Sequence, residues 1–275
     1  DVYSRYVFKS LLPLILFMGV FSTAYVAIVV DLAQLNYEST IQFHSIIGVM
    51  LGLFLVFRIN TAYDRWWEGR KLWGKLVNDT RYLAIKINNI LPADRTADRE
   101  FFIDMIANIA FATKEHLRDS ILVSELSLPD ETLRNNVISS THRPNKLADA
   151  LFERTNQLYK DQIIDGYQLY ILDKELKGFV DMIGGCERIK TTPIPFSFSM
   201  FIKKFLFIYS LTLPVSFAWQ FGYWTTPIVI LTFYFLVSVE LISEEIEDPF
   251  GEDINDLPLD EICFKIKKNI EEIML

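Results

Sequence analysis

The sequence predicts an all-α integral membrane protein in which four transmembrane helices continue into a cytoplasmic helical domain. Its apolar residues are concentrated in two blocks: no lysine or arginine occurs from Leu11 to Phe57, and none occurs from Phe205 to Phe264. No alternating β pattern and no internal repeat appears in the 275 residues. A soluble protein can also be 51% hydrophobic, so the distribution of apolar residues, rather than their average, indicates a membrane protein.

Each apolar block predicts a pair of membrane-crossing helices joined by a polar turn. The first run, Leu11 to Val30, has about the twenty residues that a helix needs to cross roughly 30 Å of hydrocarbon. The other runs are Ile41 to Phe57, Phe205 to Trp219 and Pro227 to Ile242, of which the last two are short and would be tilted or partly shielded. The alternative is a soluble bundle with buried helices, but that arrangement does not explain the segregation of charge.

The basic residues predict the orientation in the membrane. The two hairpin turns, around Asn36 and around Gly222, contain no lysine or arginine. The flanking segments contain Arg5, Lys9, Arg58, Arg65, Arg70, Lys71, Arg188, Lys190, Lys203 and Lys204. Because positive charge is retained on the cytoplasmic side, we expect a multi-pass protein of the cell inner (plasma) membrane with both termini in the cytoplasm.

The polar middle of the chain has the apolar periodicity of helices. The first predicted helix ends at Leu91-Pro92, and the others cover about Ala97 to Leu122, Arg143-Pro144 to Ile164, and Gln168 to Lys190. A last amphipathic helix begins near Asp256 and Pro258. The predicted organisation is an N-terminal transmembrane hairpin (1–57), a cytoplasmic helical domain (58–200), a C-terminal transmembrane hairpin (201–243) and an acidic segment with the last helix (244–275). All four parts are expected to form one structural unit.

Composition makes several functions improbable. A net charge of −8 argues against nucleic acid as a partner. The two cysteines, Cys186 and Cys263, are too few for a disulfide framework and indicate a reducing compartment; buried free thiols are the favoured interpretation, with a bond between them as the alternative. Neither cysteine has metal-ligand spacing with His44, His116 or His142. Without a nucleophile motif, a phosphate loop or zinc spacing, we expect no enzyme activity and no metal site.

The second span carries the most informative pattern. Val49, Leu53 and Phe57 lie one turn apart on one helical face, which continues through Asn60, Thr61, Asp64 and Glu68. A neighbouring strip consists of the small residues Ser45, Gly48, Gly52 and Val56, and the opposite side is bulky: Phe43, Met50, Leu51, Phe54 and Leu55. One interpretation is ordinary packing, with bulky residues in lipid and small ones against a neighbouring helix. The other is that the aliphatic face meets the same face of other copies of the chain around an axis. Together these faces would form a narrow dry neck that restricts ions.

Three long stretches resemble the bacterial branch of the bestrophin family. They are FRINTAYDRWWEGRKLWG (57–74), GGCERIKTTPIPFSFSMFIKK (184–204) and EEIEDPFGEDINDLPLDEI (244–262). The resemblance implies a homopentamer with one axial pore, embedded in membrane lipid and passing small monovalent ions. In the family, three hydrophobic residues one turn apart line the neck just before the arginine of the R-W-W region. The resemblance places them at Val49, Leu53 and Phe57. A second, cytoplasmic aperture is expected at Tyr167, with Ile163 or Ile164 as alternatives, and Asp64 and Glu68 would line the vestibule.

Cofactors and selectivity follow less directly from the resemblance. Animal members bind calcium at the acidic segment, and Glu245, Asp248, Asp253 and Asp256 occupy matching positions; bacterial relatives generally lack this, so we expect no cofactor and a solvated acidic turn. Acidic rings attract cations, so Asp64 and Glu68 favour sodium over chloride, unless basic residues pair with them. An anion-selective channel, a secondary transporter and a membrane scaffold remain the alternatives. The spans lack midplane charges, apart from Glu240 late in the fourth, which disfavours a transporter.

Overall fold

A computed structural model describes residues 2–34, 41–120, 123–128 and 130–275 of the chain. These residues form α-helices with short π and 3-10 turns, and no β-strand occurs among them, which confirms the predicted all-α class. The helices are α1 (Val2–Val26), α2 (Ile41–Ile90), α3 (Thr96–Leu117), α4 (Glu131–Ser139), α5 (Arg143–Lys160), α6 (Gly166–Thr191), α7 (Phe196–Phe221), α8 (Thr225–Glu247) and α9 (Leu259–Met274). A π turn, Ala27–Leu32, follows α1, and 3-10 turns cover Val123–Glu125 and Gly222–Trp224.

Helix α2 is longer than the sequence pattern suggested. The predicted second span and the first cytoplasmic helix are one continuous helix of 50 residues. No proline occurs from Ile41 to Leu91, so no proline removes a backbone hydrogen bond until the predicted end. Helix α4 was not predicted; Asp130 begins it, since its carboxylate accepts a hydrogen bond from the Thr132 amide at 2.8 Å. The predicted turn around Asn36 lies outside the described residues.

Three helical stretches in the described part of the chain are long and apolar enough to cross a membrane: Val7–Leu32, Ile41–Ile90 and Phe196–Glu247. The last contains both α7 and α8, separated only by the 3-10 turn at Gly222–Trp224. Gly222 caps α7 with φ at +52°, in the left-handed region that favours glycine. The predicted turn at Gly222 is therefore present, with the residue type that its backbone requires.

The chain forms two compact units. The first comprises residues 1–65 and 193–247, and its apolar core lies among α7, α8, α1 and the first part of α2. The second comprises residues 66–192 and 248–275, and its core contains the fully buried Trp73, Phe102 and Phe179. Helix α9 packs on α3 here, with Cys263, Ile266 and Ile270 buried. This division does not test the domain limits predicted at residues 57, 200 and 243, which stay predictions.

Candidate pore-lining site

Helix α2 packs against its own chain with one face only. Leu51 and Leu55 are buried in the core of the first unit, and Arg58 continues this buried row one turn further. Phe54 contacts the rings of Phe201 and Phe205 edge-to-face, at centroid distances of 5.9 and 6.3 Å. Part of the bulky side of the span is therefore in contact with α7.

The predicted neck residues lie on the opposite face. At 100° per residue, the middle of the row formed by Val49, Leu53 and Phe57 points about 180° away from the middle of Leu51 and Leu55. Their exposed fractions are 76%, 55% and 54% respectively. A row of large apolar side chains thus stands outside the core of its own chain and is available to lipid or to other copies.

The small-residue strip differs along its length. A Cβ atom added to Gly48 would lie 2.6 Å from the hydroxyl oxygen of Tyr209 on α7, which is closer than real contacts allow. Gly48 therefore leaves room for the Tyr209 side chain of α7. A Cβ atom added to Gly52 would meet nothing within 4 Å, so Gly52 is not needed for packing within the chain.

A buried ionic cluster holds α2 where the neck row ends. The Arg58 guanidinium, 1% exposed, lies 2.7 Å from a Glu247 carboxylate oxygen and 3.6 Å from one of Glu240. Glu247 also accepts a hydrogen bond from the Ile194 amide at 2.8 Å, and its carbonyl oxygen accepts one from Arg65 at 3.0 Å. Sequence reasoning missed this cluster, although an acidic residue inside an apolar span, Glu240, signals that a buried partner is required.

The two predicted vestibule residues have different surroundings. Asp64 is exposed on α2. Glu68 lies 2.9 Å from the Arg188 guanidinium of α6, so its charge is paired within the chain. The electrostatic support that Glu68 gave to cation selectivity is reduced accordingly.

The tryptophan segment and the acidic segment that carried the family resemblance contact each other in the second unit. The indole nitrogen of Trp66 donates a hydrogen bond to the Asn255 carbonyl oxygen at 2.9 Å. A Cβ atom on Gly69 would lie 3.1 Å from the buried ring of Phe250. These contacts support packing as the role of Trp66, while Trp67 is 46% exposed.

Of the aperture candidates, Tyr167 is exposed and Ile164 is buried within its own chain. Tyr167 lies in the first turn of α6 with 84% of its surface exposed, after a capping box formed by Asp165 and Gln168. Ile164 is 3% exposed and belongs to the core of the second unit, and Ile163 is half-buried. The assignment of an aperture to Tyr167 stays a prediction.

Two of the four acidic residues at the calcium-matching positions are bonded to each other. Asp256 accepts a hydrogen bond from the Asp253 amide at 2.7 Å, and the Leu257 amide donates to the Pro249 carbonyl oxygen at 3.0 Å. These bonds build a tight turn between α8 and α9. Glu245 is buried in the first unit.

The cysteines are free and buried, which confirms the favoured interpretation. Burial raises the pKa of the Cys186 thiol to about 12, so it is protonated at neutral pH.

The fold also assembles a group that the sequence spacing did not predict: His116, His142 and Glu187 converge in the second unit. Among the described residues this is the one group of three such side chains with ligand atoms close enough to share a metal ion. No local motif signals it, because its members lie 26 and 45 residues apart along the chain.

These features define a class: an all-helical membrane protein whose second span exposes an apolar row and is anchored by a buried arginine. A family model described as Bacterial/Fungal Bestrophin protein matches residues 2–272. The chain belongs to the bestrophin family, as the three stretches indicated.

Individual relatives agree with this assignment. A protein of Nostoc sp., named voltage-dependent anion channel-forming protein, is 40% identical over 231 residues, covering 82% of this chain and 75% of the relative. One of the same name from Ralstonia nicotianae is 31% identical over 272 residues, covering 98% and 88%. The crystal structure of a bacterial bestrophin homologue from Klebsiella pneumoniae is similar, with a TM-score of 0.89, 27% identity and coverage of 94% of this chain and 97% of that one. The relatives' names denote channels rather than enzymes.

Proposed function

We propose that the chain is one subunit of a homopentameric ion channel of the inner membrane, with Val49, Leu53 and Phe57 forming its hydrophobic neck. The observation that carries the proposal is the exposed apolar row on the face of α2 opposite its buried residues. Around a five-fold axis, such rows would form stacked apolar rings, which exclude hydrated ions unless the rings widen or become wet. Family membership and the names of the relatives support conduction as the function.

We propose four membrane passes with both termini in the cytoplasm. The support is the absence of lysine and arginine from the two hairpin turns and their presence in the flanking segments. In this orientation α2 continues into the cytoplasm, where Asp64 and Glu68 on that helix would begin the vestibule. Tyr167, in the second unit, would line an aperture. Membrane lipid and further copies of the chain are then the partners of the exposed apolar surfaces.

Anions are the proposed permeant ions. The sequence favoured sodium, but the comparisons give that preference no support: the Nostoc and Ralstonia relatives are named anion channel-forming proteins. Pairing of Glu68 with Arg188 also leaves Asp64 as the main acidic group on the continued face of α2.

We propose that conduction needs no cofactor and no calcium, since Asp256 already accepts a hydrogen bond from the Asp253 amide in its turn.

The decisive experiment is the reversal potential of the purified protein in a planar bilayer under a sodium chloride gradient. We expect stepwise currents that reverse near the chloride potential. Leu53→Ala combined with Phe57→Ala should increase the single-channel current, because smaller side chains widen an apolar constriction. Val180→Ala, an exposed apolar residue of α6 in the second unit, is a control that should leave the current unchanged.

Other outcomes assign the function differently. Reversal near the sodium potential would keep the channel and restore the cation preference. Saturating flux without current steps would indicate a transporter, and no flux in liposomes would favour a scaffold. A mass of the detergent complex other than five chains would contradict the pentamer, and a current that depends on calcium would contradict the proposed absence of a cofactor.

A further inference from the structure

Three helices of the second unit bring two histidines to one carboxylate. His116 lies near the end of α3, His142 precedes α5, and Glu187 lies in the last turns of α6. The Nε2 atoms of His116 and His142 are 2.7 and 2.6 Å from the same Glu187 oxygen, Oε1. The two imidazole rings lie side by side with centroids 4.5 Å apart.

We propose that His116, His142 and Glu187 form a binding site for a divalent transition-metal cation, of which zinc is the best example. Two imidazole nitrogens and one carboxylate oxygen are a donor set that zinc and its neighbours prefer, and three protein ligands leave a position for water. Neither the ion-channel function nor the residues of the proposed neck enter this inference. The cluster would remain a metal site if the chain conducted no ions.

The three ligand atoms lie within 4.8 Å of one another, and two of their distances are close to those that a metal requires. Tetrahedral zinc with bonds of about 2.0–2.1 Å holds neighbouring ligand atoms about 3.3 Å apart. The two nitrogen–oxygen distances, 2.7 and 2.6 Å, are those of hydrogen bonds and need to open only slightly. The side chains are 27%, 29% and 32% exposed, so an ion and its water ligand can reach them.

Two groups next to the site have other partners. Lys190, whose ammonium group donates to the His116 carbonyl oxygen, is also paired with Asp119 at 2.6 Å. The thiol of Cys186, next to Glu187 in sequence, is buried and lies 3.6 Å from the Met182 sulfur; it does not belong to the group of close ligand atoms.

Metal binding has a specific local consequence at the start of α5. The Nδ1 atom of His142 accepts a hydrogen bond from the Asn145 amide at 3.2 Å, so the ring proton resides on Nε2, which donates to Glu187. When Nε2 of His142 binds a metal, the proton that it carried moves through solvent to Nδ1 of the same ring. The Asn145 amide then loses its acceptor, because a protonated Nδ1 cannot cap the helix.

Zinc titration of the whole chain in detergent tests the proposal. The protein is purified with a tag that contains no histidine, stripped with a chelator and titrated by calorimetry. We expect one zinc ion per chain, and an affinity at least about tenfold lower in His116→Ala, Glu187→Gln and His142→Asn. Asparagine at 142 retains a capping side chain while removing the imidazole. The matched control is His44→Gln, which removes the remaining histidine, in the first unit, and should bind zinc as the parent protein does.

Two further readouts on the unmodified chain keep the test independent of whether variants fold. Cobalt should give the d–d absorption of a low-symmetry site with nitrogen and oxygen ligands, and zinc should accelerate hydrogen exchange at the Asn145 amide. Zinc affinity that is unchanged in all three variants, an unmodified chain that binds no zinc, or an Asn145 amide that zinc protects would each overturn the proposal.

Discussion

Arg58 shows how a single residue constrains the proposed pore. Its guanidinium is almost completely buried, directly after Phe57, and contacts Glu240 and Glu247 of α8. A buried charge is tolerated only when partners compensate for its lost hydration. Because those partners lie at the end of α8, they fix the rotation of α2 and thereby the direction in which the neck row points.

Replacing Arg58 should destabilise the protein strongly. Arg58→Met retains the length of the side chain but leaves the buried Glu240 and the partly buried Glu247 without this partner, which we expect to lower the free energy of unfolding by about 3–5 kcal/mol. Arg188→Met is the control, since the pair of Arg188 with Glu68 is largely exposed and should contribute less than about 1 kcal/mol. Denaturant unfolding in detergent measures both. Equal losses in the two variants would contradict the role of Arg58.

Glu240 shows what the sequence revealed at the level of residues. An acid inside an apolar run predicts a buried cationic partner, but the sequence contains 27 lysines and arginines and does not say which one. Arg58 is 182 positions away from Glu240 along the chain. Only the tertiary structure, which brings Arg58 of α2 to Glu240 of α8, selects it.

Helix α2 has one face that packs within the chain and another that does not. Gly48 lies against Tyr209, whereas Gly52, one turn later, has open space around its Cα. The two glycines therefore form a matched pair within one element, with the same intrinsic effect on helix stability and different neighbours.

Alanine should distinguish the two glycines. Gly48→Ala forces Tyr209 away, which we expect to cost about 1–3 kcal/mol, more than the gain of about 1 kcal/mol that alanine brings to a helix. Gly52→Ala should leave the thermal midpoint unchanged or raise it. Thermal unfolding followed by tryptophan fluorescence compares the two variants. A midpoint lowered equally by both would show that a further copy of the chain packs on Gly52 as closely as Tyr209 packs on Gly48.

At the scale of the whole molecule, an ion network links distant parts of the sequence in the second unit. The ammonium group of Lys114 lies 2.7 Å from Asp260, 2.6 Å from Glu125 and 3.1 Å from Glu115. Burial opposes the charge of Lys114, but hydrogen bonds to these three carboxylates outweigh it and raise its pKa well above the usual range. Burial also opposes the charge of Asp260, yet the bonds from Lys114 and Arg118 hold its pKa below the usual value.

The pKa changes of Lys114 and Asp260 predict a stability plateau with two edges. The contribution of Asp260 is present above its unfolded pKa of about 3.9 and is lost as the pH falls through its lower folded pKa. The contribution of Lys114 is complete below its unfolded pKa of about 10.4 and is lost as the pH rises through its higher folded pKa. Lys114→Met should lower the plateau and flatten the alkaline edge when thermal midpoints are measured from pH 3 to 11. Lys146→Met, in an exposed pair with Asp149, is the control, and a similar effect there would refute the assignment.

The sequence by itself determined the helical class, the apolar blocks, most helix limits and the face of α2 that carries Val49, Leu53 and Phe57. These features follow from local periodicity, helix breakers and the segregation of charge, which are all written in neighbouring residues. It did not reveal α4, where a nine-residue segment with a single buried residue, Val137, gives little periodicity. It also could not show that α2 continues unbroken from the first unit into the second.

The tertiary structure decided the contacts between residues far apart in sequence. It paired Arg58 with the end of α8 and Glu68 with Arg188, buried Ile164 in a core and joined His116 and His142 to Glu187. The physical reason is that charges, hydrogen-bond donors and metal ligands act over a few ångströms in space. The chain separation of such groups carries no signal, and only helix packing brings them within that range.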